Sequence, residues 1–201
     1  AVAEMGEILL GGIEPYVTRV MPQALKELRA SASGNRRNAA YCAGVLCLHG
    51  GQTGARYYMD VLRHLHPLFG EDEDSGTRDN AAGALARIIR TAGPAVPLDQ
   101  AVPVLLGALP LQEDHNECEP VYDALCWLVT GEHAAATVPF LSGIISALGT
   151  AALDADTPEE VKTKVGRCVS HLHASFPDAI KPLVDALPAE QQAALSAASQ
   201  R

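Results

Sequence analysis

The sequence predicts an all-α fold, an α-α superhelix built from about five helix pairs. Three observations lead to this prediction. The 201-residue chain is 48% hydrophobic but only 4% aromatic, with many alanines and leucines, a mixture that favours helices. Its apolar residues recur at helical spacing in one short segment after another, and one short motif recurs 42 residues further along the chain. No segment stands out as a strand.

Apolar stripes mark the first helix of several pairs. In "NAAGALARIIRTAG" five apolar residues fall on one face of a helix, and the same spacing returns twice further along the chain. The stripes are Ala81, Leu85, Ile88, Ile89 and Ala92; Val121, Ala124, Leu125, Leu128 and Val129; and Val165, Cys168, Val169 and Leu172. Between them lie amphipathic second helices, in "YYMDVLRHLHPLF", "DQAVPVLLGAL", "VPFLSGIISALG" and "AIKPLVDAL". The predicted organisation is helix, turn, helix, repeated.

A short self-match sets the period of the repeat. "RRNAA" at residues 36–40 returns as "RDNAA" at residues 78–82, and a displacement of this size is typical of HEAT and armadillo arrays. We therefore expect one continuous HEAT-repeat solenoid rather than two domains. The predicted repeats span approximately residues 1–33, 34–76, 77–115, 116–157 and 158–201, and a terminal helix around "AEQQAALSAAS" covers the apolar face of the last one.

Capping signals predict where two of the helices begin. "TPEE" offers Thr157 as the N-cap residue and Glu160 as its capping-box partner. "NECE" offers Asn116 and Glu119 in the same roles, and Pro120 then falls in the first turn, where its missing N–H does no harm.

Charge and cysteine content exclude several classes of protein. A net charge of −9 and a pI near 5.2 argue against direct nucleic-acid binding and favour a basic partner. The five cysteines are odd in number and form no CxxC motif, so we expect reduced thiols and no disulfide. No apolar run reaches the length of a membrane span, and we expect no membrane insertion. The start lacks an initiator Met and a basic n-region, which indicates a piece of a longer protein.

Catalytic and metal-binding motifs are not found, so we expect neither an enzyme nor a cofactor. No Ser or Cys has a neighbouring nucleophile motif, and "GGQTG" at residues 50–54 lacks the GK[ST] ending of a phosphate loop and is interpreted as a turn. The pairs His64/His66 and His171/His173 are two residues apart, and on a helix such residues face different directions. Trp127 is interpreted either as a core residue or as a platform that faces a ligand.

The segment "PLQEDHNECEP" brings four carboxylates together, those of Glu113, Asp114, Glu117 and Glu119. Carboxylates near a helix N-terminus stabilise its dipole, which accounts for one or two of them. A calcium loop is disfavoured, because the acids do not alternate and no glycine turn is present. Binding of a cationic peptide is the remaining interpretation, since lysine ammonium groups want several acceptors and a repeat array offers an extended groove.

A second acidic run, "EDED", consists of Glu71, Asp72, Glu73 and Asp74. It is interpreted as a solvated and disordered loop tip, as charge runs usually are. It also has the charge to steer a basic partner without forming an ordered contact.

Three stretches of this chain resemble consecutive helices of a known family. They are "RRNAAYCAGVLCLHGG" at 36–51, "RDNAAGALARII" at 78–89 and "LPLQEDHNECEPVYDALCWLV" at 109–129. In order and spacing they resemble the importin-β (karyopherin-β) nuclear transport receptors, most closely the C-terminal HEAT repeats of the importin-4 branch. The likeness covers roughly residues 30 to 150. One departure concerns Asn116 and Glu117, where the family often has consecutive acids.

The resemblance implies nuclear import of basic cargo, such as histone H3 or H4 tails, their chaperone complexes, or ribosomal proteins. It also implies shuttling between cytoplasm and nucleus, and release of cargo by the GTPase Ran, bound through N-terminal repeats that this chain lacks. On this basis we expect the Asn80 amide to bind a peptide backbone and the Glu117 carboxylate to receive a lysine. Asn38 holds the equivalent position and is either a third contact or a helix N-cap. Further candidate contacts are Glu113, Asp114, Asn116 and Glu119.

The alternative function is a general HEAT scaffold or regulatory subunit that binds a folded protein. A transport receptor should bind short basic peptides with strong salt dependence, whereas a scaffold should need a folded surface and respond less to salt.

Overall fold

Residues 10–200 are described here from a computed structural model, and every regular element among them is a helix. The predicted all-α HEAT-repeat fold class is thereby confirmed. The α-helices are α1 (Glu14–Glu27), α2 (Ser33–His49), α3 (Gly51–Ala55), α4 (Tyr58–Leu65), α5 (Ser75–Ala92), α6 (Leu98–Gly107), α7 (Cys118–Thr130), α8 (Ala134–Thr137), α9 (Leu141–Leu153), α10 (Glu159–Ser175), α11 (Pro177–Asp185) and α12 (Ala189–Ser199). Short 3₁₀ turns lie at Leu10–Ile13, His66–Phe69, Gly93–Ala95, His115–Glu117 and Val138–Phe140.

The chain divides into two compact units. The N-terminal unit comprises the residues up to Pro97 together with Leu111–Glu117, and the C-terminal unit comprises Leu98–Pro110 together with Cys118 onward. Four long helices begin at Ser33, Ser75, Cys118 and Glu159, spacings of roughly 40 residues that suit HEAT repeats. The division into five repeats stays a prediction, and the opening of the first repeat lies outside the described residues.

In the N-terminal unit, α2 and α5 form the most extensive helix pair, and α1 packs on α2. Ala81, Leu85, Ile88 and Ile89 of the predicted stripe are all buried. The two helices approach closely at Gly44, where an added Cβ would lie 2.7 Å from the Cα of Ala84 in the facing helix. The predicted stripe therefore lies in the core except for Ala92, which is half-buried, but α5 is buried on all sides from Asp79 to Ile89 rather than on one face.

The segment "GGQTG", interpreted as a turn, forms the one-turn helix α3 instead. Gly51 has a φ of +54°, a conformation that favours glycine. The Glu14 carboxylate then accepts hydrogen bonds from the Thr53 backbone N–H at 3.0 Å and from its hydroxyl at 3.1 Å. This long-range acceptor satisfies a helix-start N–H and could not be read from the local sequence.

In the C-terminal unit, α10 packs against α7, α9 and α12. The predicted terminal helix is confirmed as α12, which buries Leu195 and Ala198. An added Cβ at Gly166 would lie 2.6 Å from the Ser199 backbone nitrogen, so the glycine lets α12 lie directly on α10. All residues named in the two predicted stripes of this unit are buried.

Both capping predictions are wrong. Helix α10 begins with a hydrogen bond from the Lys162 N–H to the Pro158 carbonyl, and the Thr157 hydroxyl instead donates to Asp154 at 3.2 Å. Asn116 lies inside a 3₁₀ turn and donates its side-chain amide to Asp114 at 3.1 Å. In each case the side chain that was predicted to cap the helix donates a hydrogen bond to a nearby carboxylate instead. Pro120 does lie in the first turn of α7.

By length and composition alone, the helical stretch Ala134–Leu153 could cross a membrane, which differs from the expectation that no run was long enough. In the structure it is divided into α8, a 3₁₀ turn and α9. Ile144, Ile145 and Leu148 are completely buried within the C-terminal unit. Core helices of soluble proteins pass the same test, so the length carries little weight.

All five cysteines are free thiols. Burial raises the pKa of the Cys47 thiol to about 12. Cys126 and Cys168 lie on α7 and α10, and the hydrogen bond between them, followed by burial, raises the pKa of Cys126. Thiols with raised pKa values are poor nucleophiles, which fits a packing role.

Candidate functional site

The acidic loop, residues 112–117, is anchored to α5 by the buried carboxylate of Asp79. This carboxylate accepts three consecutive backbone N–H groups, from Gln112 at 3.0 Å, Glu113 at 2.7 Å and Asp114 at 2.9 Å. The loop is therefore shaped by one side chain from a helix more than thirty residues earlier. Sequence analysis missed Asp79, although an acid beside the buried stripe of α5 was a readable signal.

Asp114 is the second fixed point of the loop. Its carboxylate accepts hydrogen bonds from the Asn80 amide at 2.8 Å, the Arg37 guanidinium at 2.9 Å and the Asn116 amide at 3.1 Å. Burial alone would raise the pKa of Asp114, but these hydrogen bonds outweigh it and hold the pKa below its ordinary value. Asp114 is therefore ionised and already occupied by groups of the same unit.

Asn80 is buried, and both N–H groups of its amide are in use. One donates to the Gly76 carbonyl at 2.9 Å and the other to Asp114 at 2.8 Å. The predicted contact with a peptide backbone would have to replace one of these bonds. In the structure, Asn80 acts as a link between α5 and the acidic loop.

Glu117 is 2% exposed and forms a buried ion pair with Arg87, with 2.5 Å between Oε2 and Nη1. The Arg87 guanidinium also lies 5.1 Å from the ring centroid of Tyr41, a cation–π distance. An added Cβ at Gly83 would overlap this pair, because it would lie 1.6 Å from the Glu117 carboxylate oxygen. Glu117 is thus paired with an arginine of the same chain and lies below the exposed surface of the loop.

Glu113 is the exposed acid of the loop, with 49% of its side chain accessible. Its Oε1 accepts a hydrogen bond from the Ser75 hydroxyl at 2.5 Å, and its Oε2 lies 3.7 Å from Arg37 Nη1. The carboxylate is therefore oriented by the start of α5 while remaining open to solvent.

Two asparagines of the predicted site are exposed, Asn38 on α2 and Asn116 in the loop. Helix α2 begins at Ser33 with Ala32 as its N-cap, so the interpretation of Asn38 as a helix cap is wrong. Asn38 directly follows Arg37, whose side chain reaches the loop. The Asn38 amide itself is exposed to solvent on α2.

Glu119 belongs to the C-terminal unit, and its side chain is exposed. It lies 3.8 Å from Lys164 Nζ, and the same ammonium group is 3.0 Å from Asp123. Burial lowers the pKa of Lys164, but the hydrogen bond to Asp123 and the two carboxylates raise it above its ordinary value. The four predicted carboxylates thus belong to two units, and only three are part of the acidic loop.

The second acidic run is ordered at its end rather than free. Asp74 caps α5 by accepting hydrogen bonds from the Thr77 N–H and hydroxyl, both at 2.9 Å. Glu73 forms an ion pair with Arg36, whose Nε donates to it at 2.8 Å. Burial would raise the pKa of Glu73, but the bonds from Arg36 and the Asp74 N–H lower it overall. Glu71 and Asp72 remain exposed.

The His, Cys, Asp and Glu side chains and Trp127 were the other candidates for ligand binding. Among residues 10–200, no group of three or more His, Cys, Asp or Glu side chains lies close enough together to hold a metal ion. Trp127 is half-buried and packs against the His133 ring at a centroid distance of 4.8 Å. The described acids act as hydrogen-bond acceptors and ion-pair partners.

The described chain, an all-helical array in which a loop between helices presents acids and amides, is a helical-repeat protein of the HEAT class. No protein-family model matches it. It is 36% identical over 126 residues to the probable importin subunit beta-4 of Schizosaccharomyces pombe, covering 61% of this chain and 12% of that protein. It is 35% identical over 102 residues to importin-4 of Homo sapiens and to importin-4 of Mus musculus, covering 51% of this chain and 9% of each.

The chain is therefore similar to part of importin-4 and of importin subunit beta-4, which are members of the importin-β family. The resemblance drawn from the sequence is thereby confirmed. The chain spans only 9 to 12% of the length of these relatives.

Proposed function

We propose that the chain is part of a nuclear import receptor and binds a lysine-rich segment of a basic cargo protein on the acidic loop of the N-terminal unit. The observation that carries the proposal is the exposed Glu113 carboxylate on a rigidly anchored loop. The importin-4 relatives support a transport role, because their names describe nuclear import receptors. Glu113, Asn38 and Asn116 are the proposed direct contacts.

The charge balance of the site favours a cationic partner. Four carboxylates lie here, those of Asp79, Glu113, Asp114 and Glu117, and Arg37 and Arg87 are among the groups that contact them. The chain as a whole carries a surplus of negative charge, with a net charge of −9. A lysine ammonium group that contacts Glu113 gains from this surplus, and the exposed amides of the two asparagines suit the peptide backbone.

The buried residues of the predicted site have a supporting role in this proposal. Asn80, Asp114 and Glu117 hold the loop in place and do not touch the cargo directly. Glu119 of the C-terminal unit, with the exposed Glu71 and Asp72, provides further negative charge for steering. Each exposed ion pair contributes only about 0–1 kcal/mol, so binding requires several contacts together.

The proposed cargo class is histone H3 and H4 tails and their chaperone complexes, with ribosomal proteins as a further class. Such segments are rich in lysine and extended, which matches an acidic surface that offers amide groups. Release by Ran and shuttling between cytoplasm and nucleus are part of the same proposal, and they belong to the complete receptor.

Titration of the chain with a lysine-rich peptide at low and moderate salt tests the proposal. Saturable binding that weakens with salt, and that weakens about threefold or more in Glu113→Gln and Asn38→Ala, is the expected result. The matched control is Glu190→Gln, an exposed acid on α12 of the C-terminal unit. If Glu113→Gln weakens binding no more than Glu190→Gln does, the effect is one of net charge. If Asn38→Ala also binds as the unaltered chain does, the proposed site is wrong. If only a folded partner binds, with little salt dependence, the scaffold function replaces the transport function.

A further inference from the structure

The Arg37 side chain extends from α2 to the acidic loop and contacts two of its carboxylates. Its Nη2 is 2.9 Å from Asp114 Oδ2, and its Nη1 is 3.7 Å from Glu113 Oε2. The Arg37 side chain is 35% exposed, so it lies at the surface of the unit rather than in its core. The loop thus already carries a cation at its surface, supplied by α2.

The first turn of α5 is shaped to accommodate this cation. An added Cβ at Gly76 would lie 2.5 Å from Arg37 Nη1 and 2.9 Å from Glu113 Oε2. The guanidinium therefore occupies space that any other residue at position 76 would fill. Ser75, the preceding residue, binds the other oxygen of Glu113 and turns Oε2 toward Arg37.

We infer that Arg37 is a specificity-determining residue, an internal competitor that a bound cation must displace from Asp114 and Glu113. The inference rests on the proposed function of the acidic loop. Surface ion pairs of this kind are individually weak, so a single lysine that exchanges with Arg37 gains almost nothing. A segment with several neighbouring lysines displaces Arg37 and still pairs with the surplus negative charge. Arg37 thereby makes the loop select clustered cations over isolated ones.

A purely structural role for Arg37 predicts the opposite result. If the guanidinium serves only to hold the loop, its removal loosens Glu113 and Asp114 and weakens binding. Two sets of hydrogen bonds hold the loop without Arg37: those from the loop backbone to the Asp79 carboxylate, and the one from the Asn80 side-chain amide to Asp114. They keep the loop in place when Arg37 is replaced. The direction of the change in affinity therefore separates the two roles.

The test compares two peptides of equal length, one with a single lysine and one with three adjacent lysines, against the complete chain. The variant Arg37→Gln is expected to tighten binding of the single-lysine peptide about two- to fivefold and to narrow the preference for the triple-lysine peptide by a similar factor. Arg29→Gln, which removes an exposed arginine of the same unit, gives the same net charge and is expected to leave the preference unchanged.

Gly76→Ala displaces the guanidinium without any change in net charge, and its Cβ lies less close to Glu113 than to Arg37, so it is expected to narrow the preference in the same direction but by a smaller factor. It also decides the question if Arg37→Gln does not fold. The inference is overturned if Arg37→Gln and Gly76→Ala bind both peptides as the unaltered chain does or more weakly, or if Arg29→Gln has the same effect. Absence of binding by every version overturns the proposed function itself, whereas binding with an unchanged preference overturns only the role of Arg37.

Discussion

Replacement of Glu117 by alanine tests whether this acid belongs to the fold or to the binding surface. The change leaves the Arg87 guanidinium buried without the carboxylate 2.5 Å away. Removal of one partner from a buried ion pair destabilises a protein by about 3–5 kcal/mol. We therefore expect Glu117→Ala to lower the free energy of unfolding of the N-terminal unit by about this amount. Glu113→Ala in the same loop removes an exposed acid and should change it by less than about 1 kcal/mol.

Two measurements report this change. Urea unfolding followed by circular dichroism gives the total loss of helix, and native-state hydrogen exchange at Leu85 and Ile88 reports on α5 alone. The second is needed because Trp127, the only tryptophan, lies in the C-terminal unit, so its fluorescence reports on that unit. If Glu117→Ala is no more destabilising than Glu113→Ala, the buried pair is not a structural element and the argument fails.

Gly83 provides an independent route to the same pair. An alanine at this position would place its Cβ 1.6 Å from the Glu117 carboxylate and would force the pair apart. We expect Gly83→Ala to be destabilising by about 2–4 kcal/mol, from overpacking together with loss of the pair. In a chain that already carries Glu117→Ala, the same change should be much milder. Additive effects of the two substitutions, within about 0.5 kcal/mol, would refute the proposed clash.

Two further predictions concern the anchors of the loop. Asp79→Asn should speed backbone amide exchange at Gln112, Glu113 and Asp114 by about tenfold or more, because the Asp79 carboxylate accepts all three N–H groups. Exchange in α9, the control, should stay unchanged. Equal protection of the three amides in both proteins would show that the loop does not need this anchor. The pKa of Asp114 is depressed in the folded state, so its stabilising contribution is complete above its unfolded value near 3.8 and is lost as the pH falls below it. The urea midpoint should therefore fall as the pH is lowered from about 4 through the folded pKa of Asp114, and the fall should be shallower for Asp114→Asn. An equally steep fall in both proteins would show that Asp114 does not cause it.

Much of the helical framework could be predicted from the sequence, because helix period and core packing use the same spacing. The stripes on α5, α7 and α10 needed no information beyond the positions of the apolar residues. Helix starts were harder to predict, since several groups compete for hydrogen bonds with each capping side chain and each free N–H group at a helix start. The Thr157 hydroxyl bonds Asp154, and the N–H of Thr53 at the start of α3 is satisfied by Glu14 from α1. Local sequence does not reveal which partner wins such a competition.

The candidate site shows the same limit more strongly. The acidic loop was found from the density of its carboxylates, but the sequence did not show which of them the fold itself uses. Glu117 is buried because two residues of α5 accommodate it. Arg87, within the apolar stripe, is its ion-pair partner, and Gly83, one turn earlier, leaves space for its carboxylate. An arginine within a buried stripe, together with glycines at 76 and 83 on the same helix, was the available signal. It indicates that side chains from elsewhere enter the surface of α5 at those points.

The repeated motif explains how one loop acquires both an anchor and a counter-ion. In "RRNAA" and "RDNAA" the second position is Arg37 in α2 and Asp79 in α5, while the following asparagines are Asn38 and Asn80. The same register therefore carries opposite charges on two helices that pack together. Asp79, from "RDNAA", binds the backbone of the loop and fixes its position. Arg37, from "RRNAA", binds the side chains of the loop and modulates its charge. Exchange of the two charges, Arg37→Asp with Asp79→Arg, should conserve net charge yet abolish both the order of the loop and peptide binding, because a guanidinium cannot accept backbone N–H groups.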